Sequence, residues 1–228
     1  MSCRSVVIWG LLLFSQQTIV LNGAFAAPAQ PEIGDPVYSG TGCPSGSVGV
    51  VMSPDRRVVS LLFDQFTLEA DKAQPKRKRG KNPAVGEPVS ARKICDLVLP
   101  ISVPHGMRAR IATVELRGFH SLPIHSNAGI LTAAGFYKDK KKDKDKRMTS
   151  WLMYQGPKEE NFIATTKYPR DNLRDWTGCG RSDEMEILTH VYLNNLNTTE
   201  GAIFTIDSAD IVSEGRVLNV ELEWQSCR

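Results

Sequence analysis

Five carboxylates fall in two short stretches: Asp183, Glu184 and Glu186 in one, Asp207 and Asp210 in the other. Brought together by a fold, two of them could serve a glycosidase as acid and nucleophile, or several could hold calcium. Spacing alone does not make them converge, and the simpler reading is wet-face or turn carboxylates. The histidines are His105, His120, His125 and His190. His120 and His125 flank Leu122-Pro123, a loop spacing that is not a zinc pair, and no third ligand accompanies them. All four read as solvated or core-edge side chains, with His190 sharing a strand face with Glu186 and Leu188. No serine stands in G-x-S-x-G, and Ser45 and Ser47 read as turn residues. No glycine-rich phosphate loop is present, so the residues imply neither a cofactor nor a metal site.

Cysteine chemistry is more informative. Cys3 precedes a targeting segment's cleavage point, which leaves Cys43, Cys95, Cys179 and Cys227. An even set in a secreted chain reads as two disulfides, with three pairings open. The absence of C-x-x-C argues against zinc. Cys43–Cys95 and Cys179–Cys227 are favoured because they close loops of similar size early and late in the chain. With all four committed, no thiol nucleophile is left.

The other chemically marked residues are basic. The formal charge is +3, or +2 without Arg4; two short segments carry +5 and +4, leaving −7 on the rest. Lys76, Arg77, Lys78, Arg79 and Lys81 make the first segment. The second holds Lys138, Lys140, Lys141, Lys142, Lys144, Lys146 and Arg147, diluted by three aspartates. Such segments could bind an anionic polymer, extracellular DNA or an acidic glycan. Stacking aromatics are missing apart from Tyr137, so solubilising loop tips are the simpler reading. Asn197-Thr198-Thr199 is a glycosylation sequon, relevant in a eukaryotic host.

The elements that must position these groups are strands. Residues 1–26 form a signal peptide: Arg4, an apolar run from Val6 to Phe14, and Ala24-Phe25-Ala26 before the cut. Ser15, Gln16 and Gln17 interrupt that run too early for a membrane anchor, which needs about 20 apolar residues. No later stretch is apolar enough to span a bilayer. Residues 27–39 read as a loose leader. Residues 40–228 read as one domain, with loop inserts at 74–88 and 138–147.

Within that domain, Leu218, Val220, Leu222 and Trp224 alternate with Asn219, Glu221, Glu223 and Gln225, a strand with one buried face. Cys227 is out of phase, which predicts a strand end or a bulge. Met185, Ile187, Thr189, Val191 and Leu193 alternate as cleanly, and so do Cys95, Leu97, Leu99, Ile101 and Val103. Pro100 within the last run predicts an edge strand or a bend. Val59, Leu61 and Phe63 share one face but Phe66 and Leu68 the other, which predicts a bulge or a crossing near Asp64. Ile130 to Tyr137 and Met148 to Tyr154 frame the second insert as a hairpin. No stretch keeps helical periodicity for three turns. The expectation is an all-β, disulfide-linked two-sheet sandwich or jelly roll of about ten short strands.

The four cysteine contexts resemble one family. Gly40-Thr41-Gly42-Cys43-Pro44-Ser45-Gly46-Ser47, Arg92-Lys93-Ile94-Cys95, Arg117-Gly118-Phe119, Trp176-Thr177-Gly178-Cys179-Gly180, Asp207-Ser208 and Leu222-Glu223-Trp224-Gln225-Ser226-Cys227 are similar to the secreted family catalogued as domain of unknown function 4360. Ile94 stands where that family often has Asn, Thr177-Gly178 replaces Ser-Pro, and both basic inserts are particular to this chain. The resemblance implies a secreted, disulfide-linked β protein and carries no catalytic residues with it. The expected function is a secreted, non-catalytic surface, matrix or ligand-binding module, with a glycan or anionic polymer as partner. The alternative is a secreted glycan-directed hydrolase using a carboxylate pair.

Overall fold

The computed structural model describes residues 31–75, 86–137, 147–169, 176–197, 199–206 and 218–227. Its strands in chain order are β1 (Glu32–Ile33), β2 (Val37–Ser39), β3 (Val48–Met52), β4 (Val58–Phe63), β5 (Thr67–Ala70), β6 (Gln74–Pro75), β7 (Gly86–Glu87) and β8 (Val89–Ser102). They continue with β9 (Met107–Leu122), β10 (Ser126–Tyr137), β11 (Met148–Gln155), β12 (Lys158–Lys167), β13 (Asp183–Asn195), β14 (Ala202–Ile206) and β15 (Leu218–Ser226). The described residues contain no helix.

Alternation of apolar residues explains which side of each strand is buried. Met185, Ile187, Val191 and Leu193 of β13 and Cys95, Leu97, Leu99 and Ile101 of β8 face one core. Val59, Leu61 and Phe63 of β4, Phe204 of β14 and Val220 and Leu222 of β15 face it from the other side. These two inner faces belong to two antiparallel sheets, the sandwich arrangement.

The six-stranded sheet runs β1-β8-β13-β10-β11, with β2 also on β8. The seven-stranded sheet follows the path β3-β4-β15-β9-β14-β5, with β12 on β9. Register makes this second sheet simpler than the path suggests. Residues of β9 that pair with β12 on one side pair with β15, and further along with β14, on the other. Strands β15 and β14 therefore lie in line along one edge of β9. Beyond them β4 and β5 lie in line along their outer edge.

That arrangement explains the phase change near Asp64. It is neither a bulge nor a crossing between sheets: the chain leaves β4 and re-enters the same row as β5. Phe66 and Leu68 are as buried as Phe63, and the rings of Phe63 and Phe66 meet edge-to-face at 5.6 Å. Other local expectations are corrected too. Four strands are long, at 14, 16, 12 and 13 residues for β8, β9, β10 and β13, and fifteen strands are described in all.

Part of the expected leader is sheet, because β1 and β2 both add to the edge of β8. Pro100 sits in the gap between the two stretches they pair, its carbonyl accepting the Gly34 N–H at 2.8 Å. Its nitrogen faces that same gap, so no ladder bond to β13 is lost. The base of the first insert is also paired, β6 against β7. The register shift between Glu221 and Leu222 leaves Ala112 of β9 as the extra residue, so the bulge lies on β9 and the phase of β15 is unbroken. Cys227 is out of phase because it lies just past the strand's end at Ser226. Disulfides join Cys43 to Cys95 and Cys179 to Cys227.

Candidate functional site

The outward face of the six-stranded sheet is where chemistry-bearing side chains collect. Pairing places Gly129 between Met153 and Tyr192, and Leu131 between Trp151 and His190; Arg92 and Ile94 of β8 continue these two rows. Four strands thus present one patch of about 14 Å across, at about 4.8 Å per strand spacing. Trp151 and Met153, side by side on β11, are 49% and 55% exposed, and Ile94, at the far end of the Trp151 row, is 37% exposed. Exposed apolar and aromatic side chains gathered beside Arg92 and His190 suit a surface that meets something other than water.

Glycine shapes the patch. A Cβ on Gly129 would stand 2.2 Å from Cε1 of Tyr192, so the tyrosine ring occupies the space a side chain would fill. Leaning over β10 in this way, Tyr192 reaches Trp151 of the edge strand. Their rings stack at a centroid distance of 5.6 Å and an interplanar angle of 25°, a favourable offset geometry. The pair is held from below while the indole stays half open.

Polar rows bound the patch on both sides. On one, Ser90 Oγ donates to Asn194 Oδ1 at 2.7 Å and Asn194 Nδ2 donates to Asn127 Oδ1 at 3.2 Å, with Gln155 opposite Asn127. On the other, Glu186 is buried and accepts from the Tyr137 hydroxyl and, at 3.4 Å, from Arg147 Nη1. Burial, then Glu186, push the Tyr137 hydroxyl up, so it stays protonated as the donor. His190 is half-buried, with Nε2 shut off from solvent and lacking a hydrogen-bond partner. Burial first and Arg92 second lower its pKa, which keeps the imidazole neutral at pH 7.

The residues singled out in the sequence are scattered by comparison. Asp183 accepts the Gly178 N–H at 3.1 Å at the start of β13, and Glu186 is engaged as above. Asp207 and Asp210 lie outside the described residues. No group of three or more metal-ligating side chains occurs among the described residues. His120 is neither solvated nor core-edge but fully buried, because β9 continues past Gly118 and carries it inward. Of the basic residues, Lys76, Arg77, Lys78, Arg79, Lys81, Lys138, Lys140, Lys141, Lys142, Lys144 and Lys146 lie outside the described residues; Arg147 is described.

A second cluster surrounds Arg110 on β9. It donates to Glu223 at 2.7 Å and to the carbonyls of Tyr168 and Pro169, and Arg108 covers the Trp176 ring at 4.5 Å. With its donors engaged by its own chain, this cluster reads as a clasp for the connection into β13. Trp151, Tyr192 and Gly129 are the residues that sequence reasoning missed. The signal for the two aromatics was a large ring at a wet-face position of an alternating strand, Trp151 on β11 and Tyr192 on β13.

Disulfides, paired sheets and cysteine contexts are the frame in which relatedness can be judged. The family described as domain of unknown function 4360 (DUF4360) matches this chain over residues 29–227. The chain belongs to the DUF4360 family. It is similar to an uncharacterized secreted protein of Arthroderma benhamiae, 25% identical over 190 residues, covering 83% of this chain and 69% of the relative. This DUF4360 protein is secreted, and no helix among its described residues is long and apolar enough to cross a membrane.

Proposed function

We propose that this DUF4360 protein is a non-catalytic binding module that takes a saccharide on the outward face of its six-stranded sheet. The observation that carries the reading is the exposed, stacked Trp151–Tyr192 pair. A pyranose ring has an apolar face of C–H groups and a rim of hydroxyls. An open indole matches the face, and the neighbouring Asn127, Asn194, Ser90 and Gln155 are neutral donors and acceptors suited to the rim. A patch of about 14 Å accommodates a chain of sugars lying across the strands rather than one ring in a pocket.

Two of the candidate carboxylates do not favour the hydrolase alternative: Glu186 is buried and engaged by Tyr137 and Arg147, and Asp183 accepts the Gly178 N–H. The test is retention on insoluble polysaccharides and binding to a panel of neutral and acidic oligosaccharides, followed by tryptophan fluorescence. Trp151→Ala should weaken binding by tenfold or more while leaving Tm within about 3 °C, because the indole is half exposed. Gly129→Val should weaken binding by displacing Tyr192. Unchanged binding in Trp151→Ala and Tyr192→Ala would remove the face from consideration. So would binding confined to anionic polymers and lost when 76–81 and 138–146 are excised.

A further inference from the structure

The chain contains one N-x-S/T sequon, Asn197-Thr198-Thr199. In a eukaryotic secretory pathway its Nδ2 would accept an oligosaccharide from a lipid carrier. The new C–N bond would replace one N–H, and the lipid diphosphate would leave. The structure gives that amide other work. Asn197 is 6% exposed and stands just past the end of β13. Its Nδ2 donates to the Ile124 carbonyl at 3.1 Å. Its Oδ1 accepts from Thr199 N–H at 2.8 Å, Thr199 Oγ1 at 2.7 Å and Glu200 N–H at 3.0 Å.

The backbone of Asn197 is equally occupied. Its carbonyl accepts from Ala73 N–H at 2.6 Å, and its N–H donates to Asn195 Oδ1 at 2.9 Å. Asn195 is fully buried, and its Nδ2 donates to the carbonyls of Ala70, Asp71 and Glu200. These two asparagines tie together the end of β5, the turn between β9 and β10, and the connection from β13 to β14. We infer that Asn197 is a structural tie whose place in the fold excludes glycosylation: the folded protein carries no glycan there. A chain glycosylated on Asn197 before folding cannot close this end of the sandwich. The reason is steric, since a sugar on Nδ2 needs open solvent around an atom that faces the Ile124 carbonyl, on a residue only 6% exposed whose Oδ1 is held by the Thr199–Glu200 turn.

Expression in a glycosylating yeast tests this, because any mobility shift on endoglycosidase treatment must come from Asn197. Secreted protein should show no shift, and any glycosylated chains should remain inside the cell and be protease-sensitive. Asn197→Asp keeps the acceptor oxygen but abolishes the sequon and the bond to Ile124; it should be secreted with Tm lowered by about 2–8 °C. Asn197→Ala loses both sets of bonds and should fall further. Secreted, protease-resistant protein that shifts on deglycosylation would overturn the inference. So would an Asn197→Ala protein as stable as the wild type.

Discussion

His120 shows how a single side chain sets a response to acid. Its ring lies nearly parallel to those of Phe204 and Phe162, at 6.0 and 5.8 Å, with Tyr154 at 5.1 Å. Neither ring nitrogen has a hydrogen-bond partner. Glu160 is 3.8 Å from Nε2, and Lys158 lies on the same strand, β12. Burial lowers the imidazole pKa; the nearby Lys158 backbone and then Glu160 oppose that shift, and Lys158's charge adds to it. The unfolded chain binds the proton more readily than the folded one, so this contribution to stability is complete above about pH 6.5 and is lost as pH falls. Thermal melts of the wild type from pH 7.5 to 5 should therefore show a falling Tm. His120→Phe should flatten that fall and add about 1 kcal/mol at pH 7 by removing two unsatisfied nitrogens. An equal acid loss in the variant would assign the effect to another group.

The position of His120 was legible in principle. Val114, Leu116 and Leu122 share its parity, but Arg117-Gly118 looks like the end of a strand when only local residues are read. The aromatic face was less accessible. Trp151 and Tyr192 are far apart in sequence, and only the register of β10 with both neighbours brings them together over Gly129.

Among elements, β13 and β8 were plain because one face of each is nearly all apolar. Edge strands were harder. Outside the core-facing positions of Phe162 and Ala164, β12 is polar over much of its length, so its alternation is weak. β1 and β2 are held by pairing with β8 rather than by apolar content of their own. The Cys179–Cys227 bridge works at this scale, fastening the end of β15 to the connection that precedes β13, 48 positions away. Cys179→Ser with Cys227→Ser should cost about 4 kcal/mol in the chain-entropy account of cross-links. Urea unfolding measures the loss directly, and hydrogen exchange should place the new openings in β15 and residues 176–182. A double variant as stable as the wild type would show that the Arg108, Arg110 and Trp176 clasp holds this end by itself.

For the molecule as a whole, the controlling feature is that the chain changes sheets repeatedly. β8 is in one sheet, β9 in the other, β10 back in the first; β12, β13 and β14 repeat the exchange. Neither sheet can be completed from a contiguous part of the sequence, which raises the entropy of loop closure before contacts accumulate. Stopped-flow refolding with disulfides intact should accordingly be slow, from about milliseconds to seconds. The class of fold was readable because alternation and turns are local, whereas the pairing order depends on contacts between distant strands.

One of those distant contacts governs how the protein can be made. β15 lies between β4 and β9, with Val220 paired to Val59 on one side and Val114 on the other. A polypeptide crosses a membrane amino end first, so β4 and β9 reach the far side long before their shared neighbour. Until then both carry unpaired ladder groups along a central seam, open to any passing strand. A chain halted at residue 217 should stay protease-sensitive and bind holdase chaperones, while one extended through residue 227 should resist cleavage. Export of this protein is therefore a waiting problem: its most exposed interval ends only when the segment 218–226 clears the channel.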